Sequence, residues 1–155
     1  MKNTIGTEYI KFLDEIKSRI VTARIQAIRS VNKELINLYW YIGRAIVERQ
    51  KEYKWGNAVV ERLALDLSAE FNSVAGFSVQ NLWRMRLLYL EYKDSLKLAQ
   101  LVREIPWGQN IVIMQMVKNV KEREYYIQAT AIGGRTMQEL LLISTCIRYA
   151  QGYSL

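Results

Sequence analysis

NAVVERLALDLSAEF (57–71), NSVAGF (72–77) and SVQNLWRMR (78–86) follow one another in this chain and decide its fold. In the first segment apolar residues recur at Val59, Val60, Leu63, Leu67 and Phe71, which is helical spacing. Asn57 is placed to cap that helix with its side-chain oxygen. Gly76 can take positive φ and stop the chain cheaply. Ser78 is a good N-cap for the next helix, with Phe77 before it as a staple against Leu82. The stretch therefore predicts two short helices joined by a glycine turn, the layout of a helix-turn-helix DNA reader and of many ordinary helical hairpins.

The second helix carries the chemistry. On a helical wheel Leu82, Met85, Tyr89 and Tyr92 form one apolar face and Trp83, Leu87 and Leu90 another. Gln80, Asn81 and Arg84 are the groups expected to face outward near its start. Arg suits guanine edges and phosphates, and Asn or Gln suits adenine. With Ser78 at the cap, and Lys54 and Trp55 at the mouth of the unit, these six residues are the expected nucleic-acid contacts. The plain alternative is a solvated helix stripe, the commoner use of such residues.

Upstream, apolar residues keep 3-4 spacing at Leu13, Ile16, Ile20, Ala23 and Ala27, then resume one residue out of phase at Ile28, Val31, Leu35, Leu38, Ile42 and Ala45. Gly and Pro are absent between Thr7 and Ile42. This predicts one very long helix or two stacked ones, with a bend near Ala27. Leu35 and Leu38 are expected in the core. A seam of this kind suits helix–helix packing within the chain, and self-association through its first half is the alternative.

Downstream, residues 95–104 read as a short helix, and Pro106-Trp107-Gly108 marks a break. The β-branched run at 110–117 is ambiguous between helix and strand. Residues 121–131 and 136–149 read as helices, the latter with a Thr136–Glu139 capping box. Trp40, Trp83 and Trp107 are expected as core anchors, and Trp55 is the exception.

Composition narrows the class. The chain has 155 residues, 50% hydrophobic, with 8 Gly and 1 Pro, which favours one helical core over a many-turned β fold. Net charge is +7, and the excess is uneven: residues 1–56 hold 11 Lys+Arg against 6 Asp+Glu, and residues 57–155 hold 11 against 9. A basic balance fits nucleic acid but speaks to nonspecific attraction. One Cys (Cys146), no signal-like start and no long apolar run read as a cytoplasmic protein without a membrane partner. With no His, no Walker loop and no dinucleotide fingerprint, no catalytic group, metal or cofactor is expected.

The same residues carry a resemblance. Leu38-Tyr39-Trp40-Tyr41-Ile42-Gly43-Arg44 with Gln50, Trp55-Gly56, Asp66-Leu67 with Glu70-Phe71, Gly76-Phe77-Ser78 with Asn81-Leu82 and Met85-Arg86, Pro106-Trp107-Gly108, and Glu122 to Tyr126 occur in this order. The series resembles the amino-terminal domain of the YhcG-like bacterial family of PD-(D/E)XK nucleases, over roughly residues 10–150. That resemblance implies a helical, helix-turn-helix-like, DNA-binding front module, and a helix at 110–117. It also implies a following nuclease domain in relatives, whose catalytic carboxylates and lysine have no counterpart in this chain. Gly133-Gly134-Arg135-Thr136 departs from the family's aromatic turn.

The reading is thus an all-α single domain: long amphipathic helices at 1–53, a helix-turn-helix-like unit at 57–93 and C-terminal helices at 95–155. Its expected function is non-catalytic DNA binding or targeting, with duplex DNA as partner and a homodimer possible. The alternative is a helical dimerisation or docking module.

Overall fold

In the computed structural model, which describes residues 4–134, 136 and 138–142, the chain opens with a single helix, α1 (Thr4–Tyr53). It runs unbroken through Ala27, so the change of apolar phase is carried within one helix; no breaker residue forces an end there. At about 1.5 Å per residue it is roughly 75 Å long. It ends where Lys54 turns left-handed, at φ 53.

Five further α-helices follow: α2 (Ala58–Glu70), α3 (Val79–Tyr92), α4 (Leu96–Leu101), α5 (Trp107–Met116) and α6 (Val120–Gly133). A 3-10 turn (Val102–Glu104) extends α4, and residues 138–142 are again helical. No strand occurs among the described residues, and residues 110–117 lie mostly on α5. The Thr136–Glu139 capping box is present. Glu139 N donates to Thr136 Oγ1 at 3.2 Å, and Thr136 N donates to Glu139 Oε2 at 2.8 Å. The rest of the expected last helix, and Cys146, lie outside the described residues.

The core forms where α3 lies against the C-terminal half of α1. Ile36, Tyr39 and Ile46 of α1 meet Leu82, Met85, Leu88 and Tyr92 of α3, and Val60, Val102, Ile113 and Ile127 close the sides. This corrects one expectation. Leu35 and Leu38 belong to the 3-4 seam yet are exposed, while Ile36 and Tyr39 are buried. As far as Leu38 the seam is therefore the outer face of α1; its last members, Ile42 and Ala45, are half-buried, and the body packs on the face that carries Gly43. That glycine lets the helices cross closely: a Cβ on it would meet the Met85 carbonyl oxygen at 2.1 Å.

Trp40, Trp83 and Trp107 pack against the core as expected. Trp40 meets Tyr89 edge-on at 5.4 Å, and the Arg103 guanidinium lies over the Trp40 ring, 5.0 Å from its centre. Asn110 is fully buried and donates through Nδ2 to the Val102 and Ile105 carbonyls, fixing the chain reversal before α5. Arg123, also buried, donates to the Val117 carbonyl and pairs with Glu91 of α3. Burial pushes the neighbouring Tyr92 hydroxyl up to about 12.

Candidate nucleic-acid interface

The α2–α3 unit has the helix order predicted for it. Ser78 is the N-cap of α3, its Oγ accepting from Asn81 N at 3.2 Å, and Gly76 takes φ 119. Two details differ. Asn57 makes no side-chain cap, since it adopts helical angles in place of the extended ones that bring a capping side chain back to the free N–H groups. The connection also spans residues 71–78, longer than the roughly 3–4 residues of a compact helix-turn-helix. Its ends are drawn together by the rings of Phe71 and Phe77, 6.0 Å apart.

Asn81 does not face outward. It is only 8% exposed and sits at a junction of four elements. Its Nδ2 donates to the Gly76 carbonyl at 2.6 Å, and its Oδ1 accepts from Trp107 Nε1 at 2.9 Å. The Trp107 ring meets Tyr39 edge-on at 4.9 Å. Burial pushes the Tyr39 hydroxyl above its ordinary range, and a hydrogen bond with Asn81 partly offsets this. Tyr39, Gly76, Asn81 and Trp107 thus lock the turn to α1 and α5. The outward reading failed because a wheel cannot show that the loop and Trp107 cover the start of α3. The clue was that Asn81 falls between Leu88 and Tyr92 on the wheel, with a Trp N–H downstream in need of an acceptor.

Gln80 is exposed and Arg84 half-exposed, one turn apart on the outer stripe of α3. Neither makes a hydrogen bond or ion pair within the described residues. Further along that stripe Glu91 is taken up by Arg123 and Leu87 is exposed. Arg86 lies on another side: its Nε donates to Gln50 Oε1 of α1 at 2.8 Å, and its guanidinium stands 5.5 Å from the Trp83 ring centre. The Gln50 amide also donates to the Gly56 carbonyl. Gln50 therefore ties α3 to the α1–α2 connection, which carries Lys54 and Trp55. Both are exposed, and the Trp55 ring stacks on Tyr53 at 4.9 Å.

The unit offers an exposed amide and a half-exposed cation near the start of α3, and separately an exposed lysine and a stacked aromatic pair where α1 ends. Such groups can contact phosphates and base edges. Among the described residues no cluster of three or more His, Cys, Asp or Glu side chains could hold a metal ion. No helix there is long and apolar enough to cross a membrane.

A family model described as the DUF1016 N-terminal domain matches residues 15–144. A curated protein of Escherichia coli (strain K12), named "Putative nuclease YhcG", is 35% identical over 89 residues. That alignment covers 55% of this chain and 23% of the relative, so the chain spans only a small part of that protein's length. No solved structure matches the chain.

Proposed function

The chain belongs to the DUF1016 N-terminal domain family, and from that premise we propose that it is a non-catalytic DNA-binding module that brings duplex DNA to a nuclease. One observation carries this reading. Gln80 and Arg84 stand unpartnered on the outer stripe of α3, while the rest of that helix is anchored. Gly43, Asn81 and the Gln50–Arg86 bond fix the helix from three sides, so its outer stripe is presented rigidly. Rigid presentation lowers the entropy lost on binding.

The net charge of +7 supports association with a polyanion. The exposed Ser78 precedes the stripe at the helix start, and the exposed Lys54 and Trp55 on the α1–α2 connection are taken as further phosphate and ring contacts. The name of the Escherichia coli relative supports work on nucleic acid. The cleaving chemistry is assigned to the remainder of such proteins, because this chain offers no His and no PD-(D/E)XK constellation.

The test is retention on duplex DNA at two salt concentrations, together with incubation of plasmid, protein and magnesium or manganese. Salt-dependent retention without cleavage is expected. Absence of retention at low salt, or cleavage that follows the protein through purification, overturns the reading.

A further inference from the structure

From Gly6 to Val31 every residue of α1 except Leu13 is exposed, although Ile28 and Arg29 already line a cleft with Pro106 and Thr130 of the body. The apolar content of this stretch is high for such a position. Tyr9, Phe12, Ile16, Ile20, Val31 and Leu38 are all among the exposed large side chains, with Tyr9 at 58% and Val31 at 69%. They share one face, opposite the face that carries Ile36, Tyr39 and Gly43 into the core. From Tyr9 to Leu38 the stripe runs about four heptads, the length at which a two-helix seam becomes stable. It then continues without interruption into a groove of about 560 Å³ between α1 and α2, whose lining includes Leu38, Tyr41, Ile42 and Val59. The lining holds a single charged residue, Arg49. A helix in water is held mainly by burying such a face.

We propose that two copies of this chain pair antiparallel through α1, the arm of each lying on the apolar stripe of the other and reaching its α1–α2 groove.

Three observations select a second copy in this orientation. The stripe is complementary to itself when reversed: one register sets Ile16 against Leu35, Ile20 against Val31, Leu13 against Leu38 and Tyr9 against Ile42, apolar on apolar throughout. That register carries the arm tip to the groove, since Leu38 and Ile42 line it. The arm's own charge opposes pairing only weakly: its 5 cations and 3 anions over residues 6–31 leave a net +2, and they include the exposed ion pairs Lys17–Asp14 and Arg19–Glu15. An antiparallel pair also keeps the two basic bodies at opposite ends, where a parallel pair would set them side by side. The area suffices. About eight large apolar side chains from Tyr9 to Tyr41, on the order of 100 Å² each, reach the roughly 800 Å² per partner of a stable interface. The groove lining includes Trp55 but neither Gln80 nor Arg84, so pairing would cover that ring and leave the outer stripe of α3 outside the groove.

Light scattering and sedimentation of the wild type, with circular dichroism, form the first test. A dimer at micromolar concentration is expected. Ile16→Glu with Ile20→Glu, and separately Tyr41→Glu at the groove mouth, should weaken the dimer at least tenfold and leave the body folded, since these side chains are exposed. The second test fixes orientation in a Cys146→Ser background. Ile16→Cys and Leu35→Cys on one chain lie about 28 Å apart along the same helix, too far for an internal disulfide. Oxidation of the double variant should give a covalent dimer, and either single variant alone should not. A wild type that stays monomeric at high concentration overturns the proposal. So does a dimer in which Ile16→Cys alone cross-links, because that marks a parallel pair.

Discussion

Gly43 of α1 lies so close to Met85 of α3 that a methyl group on it would stand 2.1 Å from the Met85 carbonyl oxygen and 2.6 Å from its carbonyl carbon. The obstacle is backbone, which no rotamer change can move. The two helices that build the core must separate to admit even an alanine. Gly43→Ala is therefore expected to destabilise the domain by about 3 kcal/mol or more, at the upper end of overpacking effects. Gly108→Ala in α5 is the control, because nothing lies within 4 Å of its added methyl. That change should be neutral or stabilising by up to about 1 kcal/mol, since alanine is the better helix former. Urea unfolding of both variants is the measurement; equal midpoints would mean that α1 and α3 are not held at this distance.

Asn81 shows how a polar side chain can be misassigned from a wheel. Asn81→Ala removes the acceptor of Trp107 Nε1 and the donor to the Gly76 carbonyl, both in a covered site. Leaving those groups unpaired should cost about 1–3 kcal/mol each way the site cannot rehydrate. Thermal melting should drop clearly. At a temperature where the variant remains folded, its affinity for duplex DNA should match the wild type. An affinity loss with an unchanged melting temperature would return Asn81 to the contact surface.

Alkaline pH probes the buried tyrosines. Tyr92 titrates at about 12 in the folded chain, against an ordinary value of 10.0, because burial disfavours its charged form. Between those values the unfolded chain loses a proton that the folded chain retains. The associated stability is thus fully present below pH 10 and is lost as pH rises toward 12, at roughly 1.4 kcal/mol per pH unit. Tyr39 is shifted in the same direction by its burial. Melting temperature should fall more steeply above pH 10 in the wild type than in Tyr92→Phe. Parallel curves for the two proteins would mean that the Tyr92 hydroxyl is solvated.

Helix positions and caps were legible in the sequence because they depend on near neighbours. The Ser78 cap, the positive φ of Gly76 and the Thr136–Glu139 box each involve residues within about one turn of each other. The choice of face on α1 was not legible. Both of its faces carry apolar residues, and the longer, more regular stripe is the one the body leaves uncovered. What decides is the Gly43–Met85 approach, a contact across more than forty residues that periodicity does not encode. At the candidate site Gln80 is exposed, as its place on the wheel implied, while the covering of Asn81 depends on Trp107. Asn57 lost its expected capping role because its own backbone is helical, and a capping side chain needs extended angles there.

Arg84 and Gln80 provide the most direct test of the DNA-binding proposal. They lie one turn apart near the start of α3, free of partners within the described residues, so a ligand would not first have to break a bond. A bidentate arginine contact to a base edge is worth about 1–3 kcal/mol. Arg84→Ala should weaken duplex binding by that amount, and Gln80→Ala should add to it if both face the same groove. Neither should alter the melting temperature much, because neither side chain holds another element. Arg86→Ala supplies the contrast. It cuts the bond to Gln50 that ties α3 to the end of α1, so it should lower stability more than affinity. Replacing Lys54 should weaken binding evenly across sequences and flatten the salt dependence, as a phosphate contact does. Fluorescence anisotropy at two salt concentrations, with a melting curve for each variant, separates these effects. If Arg84→Ala and Gln80→Ala together leave affinity unchanged, α3 does not read DNA, whatever the rest of the surface does.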